Sequence, residues 1–566
     1  MKGSASIVAQ LQAYDVRYLF GLPGDTSMAL YAALADAADG IKHVLVREER
    51  SAGFMADAYA RVTGRVGVCE APSGAGATYL APGVAEAHAS SIPVIALTSD
   101  TPLHGEGRNV LTALDQCAVF EPITKARFQL KRAALIPPTF RRAFRIATSG
   151  RPGAIHISLP EDVLQEDDGN EAIYAEEECK TFPAFRTHAD PSAVRRAAEL
   201  LVRSENPLFV AGGGVVTSGA WQELARLAET LGVPVATTIV GKGSIDECHP
   251  LSIGVIGGNG GRDYANQMLA EADLIFYIGA NTDSVTTMNW TCPAPDSGKT
   301  ILQCDVDPTE IGNNYPVAVG LAGDARLVIA DLLQAVQESA PDYKLPTARR
   351  QFISQGAESW WAEFQRKAGH DRLPYKPQHI IASLADVLPQ DSIVVADAGT
   401  PTPFLSAYFR SREGRRVIIP RGYGGLGYAL PAAMGAKLGS PSSTVVALMG
   451  DGSFGMTAGE FETLHRLGLP ITVVQFSNGG FGWIKILQDL YYEKQFYQVD
   501  FSSDTDHVGI ARGFGIKSMQ VDCPGKLTEI LRSAIHSDEP TFIDLAVEPE
   551  VDETPPVHKW QTQRRS

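Results

Sequence analysis

The stretch STVVALMGDGSFGMTAGEFETLHRLGLPITVVQFSNGGFGWIK, residues 443–485, decides the fold. Thr444 to Met449 is a buried-strand run that ends at Gly450-Asp451-Gly452-Ser453. Thr457 to Leu467 has helical spacing, with Phe461, Leu464 and Leu467 on one stripe. Ile471 to Phe476 is a second strand, followed at once by Ser477-Asn478-Gly479-Gly480. The unit is β–loop–α–β, and a right-handed crossover places its two strands parallel. Asp451 and Asn478 then both sit at carboxyl ends of strands, where open α/β sheets bind ligands. An Asp carboxylate, an Asn amide oxygen and the Gly480 carbonyl suit a hard cation such as Mg²⁺, which keeps positions for phosphate and water. The glycines allow close phosphate approach, and backbone N–H groups after Gly452 can donate to it. Alone, GDGS and NGG are each ordinary turns. Placed at two strand ends and bridged by one helix, they read as a site.

Working outward, glycine recurs after short strand-like runs: YLFGLPG (18–24), PLFVAGGG (207–214), LIFYIGA (274–280) and VVALMGDG (445–452). Strands that end in Gly and lead into amphipathic segments mark βαβ units. The 566 residues divide into three α/β blocks, each expected as a doubly wound parallel sheet. Their bounds are 1–165, 190–338 and 375–548. An acidic irregular stretch runs from Gln165 to about Pro191, and Ser339 to Pro346 opens another. The Pro-rich, charged tail 549–566 is a candidate flexible lid or subunit strap. With 49 basic and 65 acidic side chains the net charge is −16, which argues against a general nucleic-acid binder. No apolar run reaches the ~18 residues needed to cross a bilayer, and the N-terminus lacks a signal-peptide pattern. Seven scattered cysteines without a C-x-x-C pair read as reduced thiols. The expectation is an acidic, multidomain, cytoplasmic protein.

The 443–485 stretch resembles the cofactor signature of thiamine diphosphate (ThDP) enzymes, and the chain is similar over nearly its whole length to their acetolactate synthase and pyruvate oxidase branch. The resemblance implies that Asp451, Asn478 and the Gly480 carbonyl hold Mg²⁺, with Gly450, Gly452 and Ser453 at the diphosphate. Such an enzyme needs a carboxyl group against the cofactor's pyrimidine ring. The segment HVLVREERSAGFMADAYARVTGRVGV (43–68) carries adjacent acids at a junction between the strand His43 to Val46 and a helix. By itself an acid there is a common helix N-terminal residue. The segment is similar to the family's His-Glu-x-x-Ala-x-x-x-Ala-x-x-Tyr-Ala-Arg. Its register to Ala52, Tyr59 and Arg61 puts Glu49 in the activating place and Glu48 where the family often has His.

Other segments match the family piece by piece. FGLPGDTSMALYAAL (20–34) is similar to its first active-site loop, placing Gly24, Asp25 and Thr26 at the substrate. In APSGAGATYLAPGVAEA (71–87), Ala75 and Tyr79 replace the family's Pro and Asn. Gln116 and Lys125 match pocket-lining positions. VVADAGTPT (394–402) ends a strand at Asp397 and presents Gly399 and Thr400 to the diphosphate. Leu426 stands where relatives have the apolar wedge that holds the cofactor bent. Trp483, Ile484 and Leu487 lie in an aromatic, mobile cover after Asn478: Ile484 counts with the cofactor contacts, Trp483 and Leu487 with the substrate pocket. By register Leu487 stands where acetolactate synthases place a Trp. In the central block VAGGGVV (210–216) is only a fragment of a dinucleotide loop. GANTDSVTTMNW (279–290) has no Arg, against the family's Arg-Phe-Asp-Asp-Arg. This argues against tightly bound FAD and leaves another nucleotide open.

The resemblance implies a ThDP- and Mg²⁺-dependent decarboxylase or carboligase acting on a small 2-oxo acid through a C2-carbanion/enamine. It also implies at least a homodimer, with a homotetramer expected, and no nucleic-acid or membrane partner. One alternative is a carbon–carbon lyase acting on a 2-hydroxyacyl thioester or a cyclic diketone. The other, of a different class, is a catalytically silent ThDP-binding paralogue, against which Glu49 speaks.

Overall fold

In the computed structural model every residue is described except 38, 168–171, 341–346, 415 and 566, with the side chains of 347–352 and 565 also left aside. Part of the acidic stretch and most of Ser339–Pro346 therefore lie outside the described residues.

The first sheet comprises β1 (Tyr18–Gly21), β2 (Lys42–Leu45), β3 (Gly67–Ala71), β4 (Val94–Asp100), β5 (Ala126–Gln129) and β6 (Ile155–Pro160), in the order β2-β1-β3-β4-β6-β5. The second comprises β7 (Pro207–Ala211), β8 (Val235–Thr237), β9 (Ser252–Val255), β10 (Leu274–Ile278), β11 (Thr300–Asp305) and β12 (Val319–Ala322), in the order β12-β11-β10-β7-β8-β9. The third comprises β13 (Ile393–Ala396), β14 (Val417–Ile418), β15 (Val445–Gly450), β16 (Ile471–Ser477), β17 (Lys517–Gln520) and β18 (Thr541–Ala546), in the order β14-β13-β15-β16-β18-β17. All three sheets are six-stranded and parallel throughout. Strands β7, β10 and β13 are buried along their whole length, which suits sheets covered on both faces by helices. No described helix is long and apolar enough to cross a membrane.

Each sheet has a point where the strand order reverses, between β1 and β3, between β7 and β10, and between β13 and β15. Loops leaving such a pair of strands diverge to opposite sides of the sheet and open a crevice at the strands' carboxyl ends. β15 and β16 are parallel neighbours, with Gly450 opposite Phe476. Asp451 and Asn478 therefore emerge side by side.

The first and third domains share one core, in which Phe20, Phe54, Met55 and Tyr59 meet Tyr428, Met434, Phe454 and Phe461. Two readings of the sequence need revision. The helix expected over Thr457–Leu467 is two helices, Asp451–Thr457 and Glu460–Leu467, parted at Ala458-Gly459. A helix over Thr347–Ala368 fills what was read as the second irregular stretch. Its residues Ile353, Trp360, Phe364 and Ala368 keep helical spacing but serve two different cores. The first linker is not loose: Arg65 bridges to Thr181, and Cys179 is fully buried.

His156, on β6, is fully buried, stacks on Phe120 at 4.1 Å and meets the Thr98 hydroxyl at 2.7 Å. Burial disfavours the imidazolium and lowers its pKa from 6.5 to about 3. Between those values the unfolded chain binds the proton and the folded chain does not. Stability is therefore lost as pH falls from about 6.5 toward 3, by up to ~1.4 kcal/mol per pH unit from this group. His156→Gln is expected to show a shallower acid limb in urea unfolding at pH 4 to 7. An unchanged slope would remove His156 as a cause of acid sensitivity.

Candidate active site

The third domain's crevice is built from three strand ends. β13 leads into Asp397, whose buried carboxylate accepts the backbone N–H groups of Gly427 at 3.1 Å and Ala429 at 3.0 Å. Desolvation pushes this carboxyl up to about 7 against those donors. Asp397 thereby anchors the loop that carries Leu426, whose Cδ2 lies 4.0 Å from where a Cβ on Gly399 would stand. Gly399 has φ +103°, a conformation that favours glycine.

From the ends of β15 and β16 come Asp451 and Asn478. Asp451 is 5% exposed. Its Oδ1 accepts the Gly452 N–H at 2.9 Å, and its Oδ2 accepts those of Gly479 at 2.8 Å and Asn478 at 3.2 Å. The Gly480 carbonyl accepts the Gly482 N–H at 3.0 Å and keeps a second lone pair. The Asn478 amide nitrogen donates to Glu550 at 2.8 Å. A Cβ built on Gly479 meets nothing within 4 Å, and one on Gly450 meets only the Phe476 carbonyl at that distance. An open floor of small residues beside the Asp451 carboxylate and the Asn478 side chain fits a diphosphate with its cation. The Thr400 hydroxyl gives its proton to Glu550. A hydroxyl has one proton to give, so Thr400 can offer a phosphate only its backbone N–H.

In the first domain the two adjacent acids divide. Glu48 is half-buried and pairs with Arg50 at 3.2 Å, while burial raises its carboxyl above the usual range. Glu49, 7% exposed, opens the Glu49–Thr63 helix, its Oε1 3.0 Å from where a Cβ on Gly76 would stand. The loop after β1 packs on the loop after β3. Thr26 hydrogen-bonds Ser73 and Ser99, both at 3.2 Å, Gly24 presses on Pro72, and Asp25 is exposed. Among the described residues, no hydrogen bond joins Glu49 to the Asp451 cluster, although its neighbours Arg47 and Arg50 donate to Glu460 and to the Met456 carbonyl of the third domain.

Four expected pocket residues are otherwise engaged. Gln116 is 1% exposed, donating to the Ser99 carbonyl at 2.9 Å and accepting from Thr98. Lys125 donates to the carbonyls of Ile146, Ser149 and Arg151, capping the end of the Ile136–Thr148 helix with all three of its N–H groups. Trp483 meets Trp560 at 4.4 Å between ring centroids, and Leu487 joins the same small core with Ile486 and Val557. Ile484 is 44% exposed on the same helix, Gly482–Tyr491. The tail is packed rather than free: its last helix, His558–Arg565, lies against this aromatic helix.

Two groups escaped the sequence reading. Glu550 is the first. The second is Glu70, an acid inside the otherwise apolar strand β3, 1% exposed. Its carboxylate reaches over Gly21, where a Cβ would stand 2.1 Å from Oε1, to accept from Tyr31 and lie 3.3 Å from His43. An acid in a buried strand was a legible signal; Glu550, in a charged tail, gave none.

In the second domain the crevice between β7 and β10 holds a cavity of about 420 Å³, lined by Gly213, Asn281, Asp305, Arg151 and Arg421 among others. Burial pushes the Asp305 carboxyl up to about 6.

The comparisons with known proteins agree with this architecture. Residues 1–119 match the thiamine pyrophosphate enzyme N-terminal TPP binding domain, 194–332 the central domain, and 397–545 the C-terminal TPP binding domain. The chain therefore belongs to the thiamine pyrophosphate enzymes, in their acetolactate synthase-like branch. It is 36% identical to a probable acetolactate synthase large subunit of Methanocaldococcus jannaschii, over 97% of this chain and 92% of that protein. It is 34% identical to a probable acetolactate synthase large subunit of Methanococcus aeolicus, with the same coverage. It is also 32% identical to the Escherichia coli acetolactate synthase isozyme 3 large subunit, over 97% and 95%. The chain is a ThDP-dependent enzyme.

Proposed function

We propose that this enzyme is a Mg²⁺-dependent decarboxylase or carboligase whose donor is a small 2-oxo acid. The observation that supports the reading is the placement of Asp451 and Asn478 at neighbouring strand ends, the Asn478 N–H bonded to Asp451, beside the β13/β15 switch point. ThDP, when bound, supplies a carbon nucleophile and electron sink. Asp451, the Asn478 side-chain oxygen and the Gly480 carbonyl would hold Mg²⁺. Backbone N–H groups around Gly399, Thr400, Gly452 and Ser453 would orient the diphosphate, and Leu426 would fill the space beside Gly399. Glu49 would hold and release a proton at its carboxyl against the pyrimidine nitrogen. Because no hydrogen bond among the described residues joins Glu49 to the Asp451 cluster, we read the complete site as shared between two copies of the chain. The second domain is read as lacking tightly bound FAD, since no Arg follows the β10 end at Gly279.

Product-resolved NMR of the protein with ThDP, Mg²⁺ and pyruvate, without added FAD, tests the reading. Acetolactate or acetoin is the expected product. Untouched pyruvate with ThDP bound would overturn the donor assignment and favour the carbon–carbon lyase.

A further inference from the structure

The segment after β18 enters the cofactor crevice from below. Val547 donates its N–H to the Ser477 carbonyl, Glu548 donates to the Tyr375 carbonyl, and Pro549 stiffens the next step. Glu550 then turns inward and is 1% exposed. One of its carboxylate oxygens accepts the Asn478 amide N–H at 2.8 Å, and the other accepts the Thr400 hydroxyl. A single carboxylate thus ties the loop after β13 to the loop after β16, on either side of Asp451.

The chemistry of the pair fixes an orientation. An ionised carboxylate only accepts hydrogen bonds, so it selects the NH₂ side of the Asn478 amide. The amide oxygen is left to face away from Glu550. The backbone N–H of the same Asn478 is held by Asp451, so main chain and side chain are both fixed. Space for this contact exists because residue 482 is glycine: a Cβ there would stand 1.8 Å from Glu550 Oε2 and 2.5 Å from Asn478 Nδ2. The strap is pinned further along. Glu553 accepts from Lys367 and Gln378, both at 2.8 Å, and the Pro556 carbonyl accepts the Gly260 N–H at 2.8 Å. Glu550 therefore sits on fixed backbone and not on a swinging flap.

We propose that Glu550 is a positioning residue for the divalent cation: it turns the Asn478 amide oxygen toward the metal and holds the Thr400 loop in register with it. The inference rests on Asp451 and Asn478 being metal ligands. Groups that orient a ligand from behind typically govern metal affinity by 10- to 100-fold when removed.

The test uses the full chain and follows ThDP binding by tryptophan fluorescence at fixed ThDP while Mg²⁺ is varied. In Glu550→Leu, no acceptor is left for the Asn478 amide NH₂ and its orientation is lost. In Gly482→Ala, the carboxylate remains but the new methyl displaces it. Both variants are expected to need about 10- to 100-fold more Mg²⁺ for half-saturation, with no fall in the Tm of the cofactor-free protein. If both stay within twofold of the parent, or if Tm falls while the Mg²⁺ requirement is unchanged, Glu550 is a structural brace and the proposal is overturned. Should Glu550→Leu fail to fold, Glu550→Asp, which keeps the carboxylate but shortens its reach to Asn478, decides in its place. A parent protein that binds ThDP with no response to Mg²⁺ would instead remove the metal site itself, and the proposal with it.

Discussion

Glu49→Gln is expected to lower kcat at least ~100-fold, the usual range for a lost proton-transfer group, while ThDP still binds. The grip on the cofactor's diphosphate lies in the third domain, on Asp451 and its neighbours, and none of those residues contacts Glu49 by a hydrogen bond among the described residues. Gln keeps the size and one hydrogen-bonding oxygen of Glu but cannot exchange a proton at neutral pH. Kd for ThDP should therefore change little while turnover is lost. Glu48→Gln is the control, because the half-buried Glu48 carboxylate pairs with Arg50 and Gln keeps a hydrogen-bonding oxygen there. Its kcat should stay within a few-fold of the parent. Steady-state rates at saturating ThDP, with Kd from fluorescence titration, separate the two effects. A Glu49→Gln enzyme within tenfold of the parent would remove Glu49 from the chemistry and leave the silent-paralogue reading open.

The largest stability effect is expected at Glu247. Its carboxylate is fully buried between Lys242 and Arg262, whose side chains are 0% and 1% exposed. The two cations reach past it to the end of the Pro401–Tyr408 helix. Lys242 donates to the carbonyls of Ser406 at 3.1 Å and Phe409 at 2.9 Å, and Arg262 donates to that of Ala407 at 3.0 Å. Positive charge at a helix C-terminus is favoured by the helix dipole. The same helix begins just after Gly399 and Thr400, so the triad holds the far end of the element that presents the diphosphate loop. Glu247→Gln leaves two cations in low dielectric with no anion, at an expected cost of about 3–5 kcal/mol. Differential scanning calorimetry should show a clear fall in Tm, together with weaker ThDP binding. The triple variant Lys242→Met, Glu247→Leu, Arg262→Met should recover much of that loss, since well-packed apolar groups often replace a buried ion cluster without penalty. A Tm for Glu247→Gln close to the parent's would show that the triad does not hold the second and third domains together.

Much of this was legible in the chain. The alternation of apolar runs with Gly-terminated turns yields three parallel sheets, because a buried strand and its crossover helix leave a local periodicity that tertiary contacts do not override. Asp451 and Asn478 were readable as partners for the same reason: each directly follows a strand, and parallel neighbours bring their ends together. Glu49 could be told from Glu48 only through its register to the family's pattern at Ala52, Tyr59 and Arg61; helical spacing alone favours an ordinary acid at a helix N-terminus.

Lys125 shows where such reading stops. A lysine in a loop has no periodicity to say where its ammonium goes; it caps a helix twenty residues away in sequence. Gln116 is likewise drawn inward by Thr98 and Ser99 on an adjoining strand. Trp483 and Leu487 pack against Trp560, a partner more than seventy residues distant that no spacing rule connects to them. The sequence by itself determined the strands and the acids and amide that stand at strand ends, since these depend on contacts within one βαβ unit. Only the tertiary structure decided which side chains face the crevice from elsewhere. Glu550, the Lys242–Glu247–Arg262 triad and the Glu70–Tyr31–His43 cluster depend on contacts between separate elements, and the partner of a buried charge is set by three-dimensional proximity, which local pattern does not encode.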